Sequence, residues 1–118
     1  MKVEGVEKEE RQFLLTTAWL FARHGQGARA RTLCEALVEC DPRDGVPAAA
    51  LAELLLEDGK AERALAVLRA ADCPSDLQRA SALLEARALA ALGRKAEAAR
   101  RWAHYVELSK GRERKWIA

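Results

Sequence analysis

The chain has 118 residues, 20 of them basic and 18 acidic, and half are hydrophobic. That length holds one domain. A net charge of +2 with no basic patch interleaved with aromatics argues against nucleic-acid binding. No apolar run reaches the roughly 18 residues of a membrane span. The start, MKVEGVEKEE, is charged, where a secretory leader would carry an apolar stretch. An odd cysteine count (Cys34, Cys40, Cys73) fits reduced thiols in a cytosol. A soluble cytoplasmic protein without a transmembrane segment is the expectation.

Residues 1–8 read as a charged, flexible start. From about Glu9 to His24 the pattern is helical, with Phe13, Leu14, Thr17, Ala18 and Phe21 on one face. Leu15 and Trp19 lie on another face. Gly25-Gln26-Gly27 breaks the helix. Ala28 to Cys40 forms the second, with Ala30, Leu33, Cys34 and Leu37 inward, and Asp41-Pro42 stops it. Asp44 can cap a third helix that tolerates Pro47 in its first turn and runs to about Asp58. A short fourth helix, Ala61 to about Ala71, ends at Asp72-Cys73-Pro74. Ser75 or Asp76 caps a fifth that runs to Leu92. Lys95 to about Lys110 is the sixth, with Ala98, Trp102 and Tyr105 inward. The last residues, 112–118, read as a flexible basic tail or an extension of that helix.

Three glycines set the period. Gly25, Gly59 and Gly93 stand 34 apart. Five residues after each comes an alanine: Ala30, Ala64 and Ala98. Seven before each comes another: Ala18, Ala52 and Ala86. Four before each is a large apolar residue: Phe21, Leu55 and Leu89. A glycine ends the first helix of each pair, where a left-handed backbone costs least without a Cβ. The alanines mark places where helices touch. This 34-residue pattern is that of the tetratricopeptide repeat. The expected fold is an all-α solenoid of three helix pairs (repeats 11–44, 45–78 and 79–112) with a C-terminal helical extension or tail, in a single domain over 1–118. Three repeats lie near the minimum for such an array, so a bound partner would add stability.

Catalytic and metal readings find little support. His24 and His104 are turn or surface histidines with no nucleophile beside them. The cysteine spacings are not those of zinc sites. No enzyme activity, cofactor, metal or small-molecule substrate is expected. Charges such as Glu97 and Arg101 read as pairs on a solvated face, worth little. The informative face is the concave one, lined by the first helix of each pair. By repeat position it presents Gln12, Leu15, Trp19 and Arg23, then Val46, Ala49, Glu53 and Leu56, then Leu83 and Arg87. Trp19 stands out, because a large aromatic off the packing face is a typical interface anchor. Its alternative role is to be covered by the chain's own termini. These residues form the candidate partner-binding site, open to a helix or extended segment.

Two blocks go beyond the generic repeat. They are RQFLLTTAWLFARHGQGARARTLCEALVECDP (Arg11–Pro42) and AARRWAHYVELSKGRE (Ala98–Glu113). Together they resemble the YscY (SctY) family of type III secretion chaperones. The likeness lies in the Gln-x-Leu-Leu start, the Ala-Trp-Leu step, the Gly-x-x-x-x-Ala turn and the closing Tyr-Val-Glu-Leu. It implies a bacterial cytosolic chaperone that binds a small secreted export component, YscX (SctX), as a heterodimer. It further implies a link to the export-gate protein YscV (SctV) at the inner membrane. Other readings are a needle-subunit or translocator chaperone, a co-chaperone, or a structural assembly scaffold. A co-chaperone would need a basic carboxylate clasp, and only Arg23 and Arg87 lie on the groove.

Overall fold

The computed structural model describes residues 8–117, with side chains over 15–111 except that of residue 20. The chain folds into six α-helices: α1 (Lys8–Arg23), α2 (Gly27–Cys40), α3 (Gly45–Glu57), α4 (Ala61–Ala70), α5 (Gln78–Ala91) and α6 (Lys95–Ile117). A single 3-10 turn, Ser75–Leu77, precedes α5. No strand occurs among the described residues. Each helix packs on the next in chain order, and α3 also packs on α5.

The glycine positions explain why three of the turns look alike. Gly25, Gly59 and Gly93 have φ of 76°, 76° and 77°, a left-handed conformation that disfavours a Cβ. Each turn closes with the same two hydrogen bonds. The glycine N–H donates to the carbonyl three residues back, at Ala22, Leu56 and Ala90. The next N–H (Gln26, Lys60, Arg94) donates to Phe21, Leu55 and Leu89 at 2.8–2.9 Å. This pair satisfies carbonyls that the helix end would leave bare. The apolar residue four before each glycine therefore accepts the cap bond and also packs in the interior. Leu55 and Leu89 are fully buried, and Phe21 is partly so.

The alanines of the 34-residue pattern are all buried: Ala18, Ala52 and Ala86 on the first helices, and Ala30, Ala64 and Ala98 on the second. One apolar cluster joins α1, α2, α3 and α4 through Cys34, Leu51, Leu55 and Leu68, and reaches Leu84 of α5. A second, around Leu65, Ala88, Leu89 and Ala98, joins α4, α5 and α6. Leu56 packs against both. Burying one leucine of this kind stabilises the fold by about 1.5–3 kcal/mol.

Two expectations change. Ser75 and Asp76 do not cap the fifth helix; they sit in the 3-10 turn, and α5 starts without a side-chain cap. Trp102 is not sandwiched between helices but is 51% exposed. It lies on α6 at the edge of a recess shared with Ala86, Arg87 and Ala90 of α5, which leaves half of its surface open. Of the two readings of the C-terminal residues, the helical extension is the one found: α6 continues through Gly111 to Ile117. Residues 1–7 and 118 lie outside the described residues.

Asp44 caps α3 as expected, its Oδ1 accepting from the Val46 N–H at 3.2 Å. The same loop is tied to the α4–α5 connection. The Asp72 N–H donates to the Arg43 carbonyl at 2.8 Å. The Arg43 guanidinium meets the Asp72 carboxylate with two bonds, at 3.0 and 3.3 Å.

Candidate protein-binding groove

The groove begins on α1. Packing needs Ala18 and Phe21 inward, and the helical period then places Leu15, Trp19 and Arg23 on the other side. Trp19 is left 57% exposed. The Arg23 guanidinium lies over its ring, 4.9 Å from the centroid. Such a contact holds the indole in place while its edge stays open.

A recess of about 400 Å³ opens between α1 and α3 beside this tryptophan. Leu15, Ala18, Trp19, Ala22 and Arg23 form one wall; Ala50, Glu53, Leu54 and Glu57 form the other; Cys34 of α2 is part of the lining. Small alanines on both sides account for the empty space. Cys34 is buried, and its thiol is pushed up from 9.0 to about 11 by burial first and the Glu35 charge second. It stays protonated at neutral pH and acts as a small apolar surface. Cys34, Cys40 and Cys73 are free thiols.

Of the ten residues expected on this face, the structure gathers four around the recess: Leu15, Trp19, Arg23 and Glu53. Arg87 joins them through an ion pair to Glu53 at 3.6 Å, which spans α3 and α5. Ala49 and Leu56 stand outside the lining; they pack against the core, as Ala50 and Leu54 also do. The wall of α3 is made by Ala50, Glu53, Leu54 and Glu57, an i, i+3, i+4, i+7 set. Sequence reasoning missed Ala50, Leu54 and Glu57; that helical set was the available signal. Val46 is 46% exposed in the first turn of α3, outside the recess lining. Leu83 is partly buried on α5, also outside it. Gln12 lies on α1, and its side chain is outside the described ones.

The face continues past the ion pair. Arg87 also borders a second recess, about 320 Å³, formed with Ala86, Ala90, Ala98, Ala99 and Trp102. Tyr105 tilts against Trp102 with ring centroids 5.2 Å apart. The result is a strip: an apolar recess at Trp19, the Glu53–Arg87 pair, then an apolar recess at Trp102.

Among the described residues, no helix is long and apolar enough to cross a membrane. Compared with known proteins, the chain matches no protein-family model and no curated protein.

Proposed function

We propose that the chain is a tetratricopeptide-type helical repeat that binds a partner protein, seating an apolar segment of it against Trp19 between α1 and α3. The observation that carries this is the exposed Trp19, steadied by Arg23 over an unfilled recess. An exposed aromatic with few rotatable bonds loses little entropy when a partner covers it. The repeat reading rests on the three identical glycine caps spaced 34 residues apart.

The class of partner rests on the resemblance of 11–42 and 98–113 to YscY-type chaperones. On that reading the protein is a cytoplasmic type III secretion chaperone. It holds a small YscX-like export component and delivers it toward a YscV-like gate. A poorly folded secreted chain that orders on binding needs a large contact surface, and the strip from Trp19 to Trp102 supplies one.

The test is co-expression with a YscX-like protein, followed by size-exclusion chromatography with light scattering. A 1:1 heterodimer is expected, lost on Trp19→Ala while the melting temperature of the variant stays near wild type. Failure of the YscX-like protein to bind removes the secretion reading; full binding by Trp19→Ala removes the groove.

A further inference from the structure

A third cavity, about 550 Å³, opens among α4, α5 and α6 and shares no lining residue with either recess of the groove. Its chemistry is different. Arg69, Gln78, Ser81, Arg101 and His104 line it, all able to donate hydrogen bonds, with Glu85 as the one carboxylate in the lining.

Glu85 is shared. Arg69 Nε lies 3.8 Å from one of its oxygens, and Arg101 Nη2 lies 3.2 Å from the other. The Glu85 side chain is only 14% exposed. Two guanidiniums therefore answer to one carboxylate, leaving positive charge in excess. Glu97 stands nearby in the field of Arg69, but it is engaged by Arg94. Two side-chain atoms of α6 are shielded from solvent without a hydrogen-bond partner among the described residues, the Nε of Arg101 and the Oε2 of Glu97, so neither by itself marks a ligand. What the cavity does hold is donors in excess: Glu85 meets one nitrogen of each guanidinium, and a guanidinium carries five N–H donors.

We infer that this cavity binds a small oxyanion, a phosphate or carboxylate group that accepts from Arg101 and Arg69 beside Glu85. The planar guanidinium fork suits both groups, and Gln78 and Ser81 offer neutral donors at the same wall.

The experiment is calorimetric titration of the full chain with inorganic phosphate and, separately, with succinate, at fixed ionic strength in chloride. Saturable binding of at least one anion is expected; phosphate alone indicates a tetrahedral ligand, succinate alone a planar one. Arg101→Gln should weaken it about tenfold, the loss of one charge-assisted bond. Glu85→Gln should tighten it, because the resident carboxylate competes for the same donors. Arg63→Gln, which breaks the exposed pair with Glu35 elsewhere, should leave it unchanged. If Arg101→Gln does not stay folded by thermal melt, Arg69→Gln takes its place. The inference falls if neither anion gives saturable heat, if the arginine variant binds as well as wild type, or if Glu85→Gln weakens binding.

Discussion

At Gly59 the obstacle to a side chain is conformational, and at Gly45 it is spatial. A Cβ on Gly59 would meet nothing within 4 Å, but its φ is 76°. A Cβ on Gly45 would stand 2.6 Å from the carbonyl oxygen of Asp72. Gly59→Val should therefore lower stability by about 1–2 kcal/mol through backbone strain, and Lys60→Ala beside it should change little. Gly45→Ala should cost about 1–3 kcal/mol because two loops must part. Circular-dichroism melts of the three variants test both, and equal melting temperatures would refute them. Gly59 was readable from the sequence because a left-handed turn leaves its mark in one residue and repeats. Gly45 was not, since its constraint comes from a backbone oxygen 27 positions away. Cys34 adds a pH dependence. Folding raises its pKa from 9.0 to about 11, so the folded state prefers the protonated thiol. That contribution is complete below pH 9, shrinks as the unfolded thiol ionises, and is lost as the pH rises through 11. Between pH 8 and pH 10.5 the wild type should lose more melting temperature than Cys34→Ala. Parallel curves would exclude the effect.

Among elements, the alanines show where helices approach most closely. Ala64 on α4 is fully buried, while Ala66 on the same helix faces solvent. Ala64→Leu should overpack the joint and cost about 1–3 kcal/mol; Ala66→Leu should be nearly neutral. A melt in which both behave alike would place the helix contact elsewhere. Trp102→Ala should cost far less than removal of a core tryptophan, because half of its surface already meets solvent. The 34-residue period put Trp102 in line with Cys34 and Leu68, but period alone does not say what packs on a position, and around Trp102 the small Ala86 and Ala90 of α5 leave a recess. Ion pairing between elements was equally hidden. Arg31 bonds Asp58, Arg63 bonds Glu35 at 3.0 Å, and Arg101 turns to Glu85 rather than to Glu97 one turn before it. These partners lie 16 to 28 residues apart, beyond what a single helix face can show. The rotation of α3 that presents Ala50 and Leu54 in place of Ala49 and Leu56 was hidden for a related reason. In an alanine- and leucine-rich helix every face is apolar, so the packing decides which one is buried.

Across the whole molecule, the two recesses and the ion pair between them suit a partner of matching layout. Trp19 borders one recess, Trp102 the other, and Glu53 and Arg87 stand between. From the α1–α3 joint to the α5–α6 joint is about two helix spacings, roughly 16–20 Å, the length of ~11–13 residues of a partner α-helix. A helix that spans the strip would place an apolar residue in each recess and a polar one over the pair. The fold thus predicts unequal effects along the strip. On the proposed function, Trp19→Ala should weaken partner binding by about 30-fold or more, the usual cost of truncating a central aromatic anchor. Trp102→Ala should weaken it less, because its recess is smaller, about 320 against 400 Å³. Exchanging the pair, Glu53→Arg with Arg87→Glu, should keep the fold, since their side chains are about half exposed, yet change the salt dependence of binding through reversed polarity. Titration calorimetry of the four proteins at two salt concentrations reads all of this. Loss on Trp19→Ala with none on Trp102→Ala or on the exchange would confine the partner to the α1–α3 recess. No loss on Trp19→Ala would move the interface off this face altogether.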